Sequence, residues 1–154
     1  MAQDSKSIQP LSAALVGTWE LVSREDHTPD GQRRVDPSLG ADPIALLIYD
    51  RTGHFAAQFM KRDRSSTPND ISAVAAPNNS RARGGYDAYF GTYTVDDAGN
   101  TVTQRLVGAL SSENVGHVLT RTMAVAHDEL TIRLDTTTVE GEPITRTLRW
   151  KRVG

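Results

Sequence analysis

The sequence predicts an all-β chain of eight antiparallel strands in up-and-down order. Apolar residues recur mostly with period two, the alternation of a half-buried strand. Gly, Asp and Asn interrupt that alternation at the spacing of about 8 to 12 residues typical of all-β folds. The connections between runs are short and rich in turn-forming residues, which joins neighbours as hairpins.

The strands are placed at 16–27, 43–50, 54–62, 89–96, 101–110, 116–126, 129–137 and 144–153. Asp50-Arg51-Thr52-Gly53, Asp96-Asp97-Ala98-Gly99-Asn100, His127-Asp128 and Glu140-Gly141-Glu142-Pro143 supply the turns. Before the first strand, Pro10-Leu11-Ser12-Ala13-Ala14-Leu15 predicts a short helix that plugs one end, with residues 1–12 otherwise flexible. Between the third and fourth strands lies a helical or loop insertion, 63–88. Thr67-Pro68-Asn69-Asp70 there resembles a helix N-cap with Pro at the first helical position. Ala73–Ala76 continues the turn to Pro77, and 80–88 offers a second stretch weakened by Gly84-Gly85. An insertion of this length is a lid, a binding loop or a plain solvated excursion.

With 154 residues and 38% apolar content the chain fits one domain. Its net charge of −2 gives no general attraction to nucleic acid or to anionic membrane. The absence of cysteine rules out disulfides and thiolate metal sites. No window approaches the roughly 18 apolar residues of a membrane span, and the N-terminus leads into no signal-like apolar stretch. A cytoplasmic protein without a membrane partner is expected. The basic run Lys61-Arg62-Asp63-Arg64, with Arg81 and Arg83, lacks the interleaved aromatics of single-strand binders.

The residues also resemble a known family. Leu15-Val16-Gly17-Thr18-Trp19-Glu20-Leu21-Val22-Ser23, Leu47-Ile48-Tyr49-Asp50 with Gly53-His54 and Gln58-Phe59-Met60, and Tyr89-Phe90-Gly91-Thr92-Tyr93 are similar to the lipocalin-like domain family of bacterial and fungal proteins. So are Arg121, Leu130-Thr131 and Leu148-Arg149-Trp150. The resemblance implies a single closed barrel, wide enough inside for side chains or one small ligand. It implies fold more firmly than activity, although several fungal relatives accompany secondary-metabolite pathways. Relatives commonly carry a His-rich fifth strand and a Pro-Asn-Trp-like turn before the sixth. This chain reads Thr103-Gln104-Arg105 and Ser112-Glu113-Asn114 there. The resemblance also implies that Trp19 closes the barrel base, with Arg149 or Arg152 stacked on it.

Alternation assigns the inward faces. Leu130, Ile132 and Leu134 point in. Leu119, Met123 and Val125 carry His117 and Arg121 with them; Ile144, Leu148 and Trp150 carry Arg146 and Arg152, the last inside or at the rim. Val102, Leu106 and Leu110 carry Gln104, and Tyr89, Gly91, Tyr93 and Val95 form the fourth strand's interior. The expected ligand-binding set is therefore Arg121, Arg146, Gln104, Tyr93, Tyr89, Met123 and Tyr49. No Asp or Glu falls on the inward faces of the last four strands. Arg121 and Arg146 thus need a ligand anion, backbone carbonyls at an open end, or an outward facing after a one-residue slip.

The expected function is a binding barrel for a small hydrophobic or amphiphilic molecule with one acidic or polar group. The alternative is a cofactor-independent isomerase, cyclase or lyase acting on a polyketide-like or phenolic metabolite. It would use His117 as proton carrier, Tyr93 or Tyr49 as donor and Arg121 to stabilise negative charge. A filled structural barrel is the third reading, and a homodimer is compatible with any of them. No G-x-S-x-G elbow, phosphate loop or dinucleotide fingerprint occurs, and His27, His54, His117 and His127 lack ligand-like spacing. Neither a cofactor nor a metal is expected.

Overall fold

The structure, a computed structural model, describes residues 9–154. A short helix α1 (Leu11–Ala14) precedes nine strands: β1 (Gly17–His27), β2 (Arg33–Arg34), β3 (Ile44–Tyr49), β4 (His54–Met60), β5 (Tyr86–Asp96), β6 (Thr101–Ala109), β7 (Val118–Ala126), β8 (Glu129–Thr137) and β9 (Pro143–Arg152). Consecutive strands from β3 to β9 pair antiparallel, and β1 pairs with both β3 and β9. Eight strands thereby close a ring in the expected order. The two-residue β2 lies outside it, paired with Asp26 and His27 at the far end of β1.

The two ends of the barrel differ. At the closed end lie α1 and the β3–β4, β5–β6 and β7–β8 hairpins; at the mouth lie the longer connections 28–43, 61–85, 110–117 and 138–142. Trp19 is fully buried and donates from Nε1 to the Leu15 carbonyl at 2.9 Å. The Arg152 guanidinium lies 4.3 Å from its ring centroid and caps the Ala14 and Val16 carbonyls at 2.6 and 2.8 Å. Of the two candidates for this stack, Arg152 fills the role, because Arg149 is on the outward face of β9. Residues 1–8 of the segment expected to be flexible lie outside the described residues. Leu11 is buried, and Ser12 donates from both N and Oγ to Asp97.

Two β-bulges, each inserting one extra residue, reset the alternation. In β1 the register against β9 shifts between Leu21 and Ser23, so Val22 turns outward and is 55% exposed. Beyond it Arg24 and Asp26 are buried. In β6 the register against β5 shifts between Phe90 and Gly91. Val107 swings out, and Leu110, expected inside, is exposed. Gly91 is required at this crossing, since a Cβ there would sit 1.8 Å from the Arg105 carbonyl oxygen.

The insertion is present but holds no α-helix. Only Arg64–Ser66 forms a 3-10 turn. A four-residue stretch before Pro77 cannot support a helical nucleus by itself. The backbone folds on itself instead, with Ala73 N–H donating to the Ala82 carbonyl at 2.8 Å and Gly84 N–H to that of Ile71 at 2.7 Å. The basic run is absorbed locally: Lys61 reaches Thr67 Oγ1, Arg62 pairs with Asp42, and Arg64 donates to the Gly84 carbonyl. Strand β5 begins at Tyr86, three residues before the expected start at 89.

Candidate functional site

Apolar side chains fill the closed half of the barrel, with Trp19, Val102, Met123 and Leu130 almost wholly buried. The half nearer the mouth is lined by charge. Arg24 and Asp26 from β1, Asp87 from β5, Gln104 from β6, Arg121 from β7 and Arg146 from β9 are all buried, and the loop residue Asp36 reaches in beside them. Isolated ions in such a place are costly, so their pairing decides what the site can do.

Four of these groups satisfy one another. Arg146 grips Asp26 with Nε and Nη2 at 2.8 and 3.1 Å, donates to Asn79 Oδ1 at 3.2 Å, and lies 3.5 Å from Asp36 Oδ2. Arg24 pairs with Asp36 at 3.0 Å. Burial pushes the Asp36 carboxyl up, but Arg24, the Ser38 hydroxyl and Arg146 together hold it below the ordinary carboxylate value. Two guanidinium and two carboxylate groups make this cluster neutral.

Arg121 stands apart. Its Nη1 donates to the carbonyls of Asn78 at 2.8 Å and Thr120 at 3.1 Å. No carboxylate lies within ion-pair distance of it among the described residues. Asn78 is positioned for this contact by a two-point bond with the Thr120 backbone at 2.9 and 3.0 Å. Burial lowers the Arg121 pKa from its ordinary value, with Tyr89 and Tyr49 acting against that and Arg146 adding to it.

Asp87 is the second incompletely satisfied ion. Ser80 Oγ donates to its Oδ2, while Oδ1 has no protein partner. Burial pushes its carboxyl up to about 6, against the lowering effect of the Ser80 bond. The Tyr89 hydroxyl is pushed up to about 12 by burial and by Asp87. Gln104 Nε2 donates to the Tyr49 hydroxyl, whose pKa burial raises.

Two adjoining cavities open onto these groups. The inner one, about 50 Å³, is lined by Arg121, Asp87, Tyr89, Gln104, Trp150 and their neighbours. The outer one, about 250 Å³, lies under the mouth loops against Val35, Ile71, Val74, Val139 and Arg34. Asp36, Ser38, Asn79, Ala82 and Arg146 line both.

Of the residues expected at the site, the barrel brings Arg121, Arg146, Gln104 and Tyr89 onto the inner cavity. Tyr49 stands behind Gln104, and Met123 is core without lining either cavity. Two expectations are corrected. His117 is exposed, because the chain leaves Gly116 at φ +88° and enters β7 only at Val118, so strand alternation does not apply to it. Tyr93 is half-buried at the closed end, donating to the Asp50 carbonyl at 2.5 Å. The anion that Arg146 needs comes from outside the last four strands, since Asp26 arrives from the first.

Sequence reasoning missed Arg24, Asp26, Asp36 and Asp87. Asp87 was within reach, two residues before Tyr89 on the same period. The β1 pair was hidden by the bulge at Val22, and Asp36 by the loop that carries it.

A closed eight-stranded antiparallel barrel, plugged at one end and carrying a polar cavity at the other, defines a lipocalin-type barrel. The chain matches the family model of the lipocalin-like domain over residues 16–153 and belongs to that family. No curated protein matches it. Among the described residues no helix is long and apolar enough to cross a membrane.

Proposed function

We propose that the barrel binds a small, mostly apolar molecule through an acidic or polar group anchored on Arg121. The observation that carries this reading is the contrast among the three buried arginines. Arg24 and Arg146 have carboxylate partners, whereas Arg121 has only two backbone carbonyls, both on Nη1. A guanidinium stays charged, and its planar fork suits a carboxylate, enolate or phenolate. The outer cavity supplies apolar walls for the rest of the molecule, in keeping with ligand sites that combine an apolar lining with a few placed polar groups.

The test is fluorescence titration with 1-anilinonaphthalene-8-sulfonate, an apolar probe bearing one anionic group. Saturable binding that weakens at least about tenfold in Arg121→Gln supports the reading, the loss expected for one charge-assisted hydrogen bond. Unchanged affinity in a folded Arg121→Gln protein overturns it.

A second reading, acid–base catalysis on an enolisable metabolite of polyketide type, rests on Asp87. Its carboxyl titrates at about 6 on the same cavity as Arg121, close to where a general base works best. Asp87 would take the α-proton and Arg121 would hold the enolate oxygen. Deuterium uptake at the α-carbon of acetoacetate in heavy water, lost in Asp87→Asn, is its signature.

A further inference from the structure

Four buried side-chain polar atoms among the described residues have no hydrogen-bond partner: Asp87 Oδ1, Gln104 Oε1, Trp150 Nε1 and Ser111 Oγ. The first three belong to side chains that line the inner cavity beside Arg121. Buried polar groups are almost always satisfied, and leaving one unpaired costs free energy comparable to a lost hydrogen bond. Three of these atoms belong to side chains that surround one small cavity next to a guanidinium without a carboxylate, which singles this place out.

The donor and acceptor roles define the complement. Arg121 and the Trp150 indole only donate, so they call for acceptor oxygens, and the charge on Arg121 calls for those of an acid. Asp87 and Gln104 call for something different. Asp87 accepts when ionised and can donate when protonated. The Gln104 amide, with one end committed to Tyr49, leaves its other end free whichever way it is turned. A hydroxyl, which donates one hydrogen bond and accepts two, serves both residues whenever one of them donates, as a protonated Asp87 or an amide turned with its NH2 outward does; with both acting as acceptors it serves one of them. Asp87 does not take the place of the acid for Arg121, since its bond goes to Ser80 and the two make no ion pair.

Size sets the remainder. The inner cavity, at about 50 Å³, holds about three to five water-sized groups at roughly 10–15 Å³ apiece. A carboxylate with a hydroxyl one or two carbons away has about five or six heavy atoms, bonded more closely than separate waters, and fills it. A longer molecule must continue past Asn79 and Ala82 into the outer cavity, where Val35, Ile71, Val74 and Val139 stand 41 to 59% exposed.

We infer that the inner cavity is a head-group site for a hydroxy acid: Arg121 and Trp150 Nε1 take the carboxylate oxygens, Asp87 and the Gln104 amide take a hydroxyl one or two carbons away, and an apolar tail lies in the outer cavity. This rests on the anionic anchor at Arg121 and adds the neighbouring hydroxyl.

Isothermal titration with a matched set of probes, 3-hydroxydecanoate, decanoate and 1,3-decanediol, tests it. The wild-type protein is expected to bind 3-hydroxydecanoate at least about tenfold more tightly than decanoate, the factor one buried hydrogen bond supplies, and the diol more weakly than either. Asp87→Leu should bring the two acids to about equal affinity while keeping decanoate bound. Equal affinity of the two acids in the wild type overturns the hydroxy-acid assignment and leaves the Arg121 anchor standing. Failure of both acids to bind, or the diol binding as well as the hydroxy acid, overturns the anchor as well. Because the wild-type comparison already decides, the outcome does not depend on Asp87→Leu folding.

Discussion

Asp26 and Arg146, 120 positions apart in the chain, meet in a two-point ion pair at 2.8 and 3.1 Å, each about 5% exposed. The pair ties the first strand to the last at the mouth, as Trp19 and Arg152 tie them at the closed end. It also removes Arg146 as a free anion receptor and leaves that role to Arg121.

Breaking this pair from one side strands a buried charge. Asp26→Ala is expected to destabilise the protein by about 3–5 kcal/mol, and adding Arg146→Met should restore a large part of that. Urea denaturation of the two single variants and the double variant measures the coupling. Additive losses would mean that the two residues do not act as a pair.

Arg121 should behave oppositely. With no carboxylate partner, replacing it by Met exchanges a desolvated charge for apolar volume at the cost of two backbone hydrogen bonds. Arg121→Met is expected to be within about 1 kcal/mol of the wild type or more stable, while losing the anionic probe. A loss comparable with that of Asp26→Ala would identify Arg121 as a structural tie.

Asp87 gives a pH signature. Its folded carboxyl lies at about 6 against an ordinary 3.8, so between these values the folded state binds more protons than the unfolded chain. Stability contributed by Asp87 therefore falls as pH rises from about 4 to about 6, and the penalty is complete above that. Two units correspond to roughly 3 kcal/mol. Asp87→Asn should be more stable than the wild type at pH 8 and lose that advantage towards pH 4, read from denaturation midpoints across the range. Asp36, held below the ordinary value, contributes the opposite slope at lower pH in both proteins and cancels from the difference.

At the closed end, Arg152→Ala removes the stack on Trp19 and the caps on Ala14 and Val16. The expected loss is about 2–4 kcal/mol, combining a cation–π contact with charged hydrogen bonds. Arg152→Lys should recover less than half, because an ammonium cannot stack and reach two carbonyls in one plane. Thermal melts followed by tryptophan fluorescence report this directly. Probe binding at the mouth should be unaffected.

Much of the site was legible where alternation is uninterrupted. Gln104, Arg121 and Arg146 each sit among apolar residues at period two, and all three are buried. The reading failed where the chain steps off that period. His117 precedes its strand behind a glycine of positive φ, Leu110 follows the bulge at Val107, and Tyr93 is inward but beside the wrong end of the barrel. Facing gives direction across the sheet and says nothing of the height at which a side chain enters.

The closure by Trp19 and an arginine of the last strand was implied by the family resemblance, whereas the eight strands of the ring, their hairpin order and the inward facing of Gln104, Arg121 and Arg146 were readable from the residues alone. Those are local properties, fixed by side-chain alternation and turn chemistry within a few residues. Which arginine keeps its charge free depends on contacts between distant parts of the chain. The bulge at Val22 turns Arg24 and Asp26 inward, the 28–43 connection brings Asp36 over the mouth, and closure of β1 on β9 carries Asp26 to Arg146. A buried charge is neutralised by whatever lies within a few ångströms in space, and in a closed barrel those neighbours come from the opposite end of the chain.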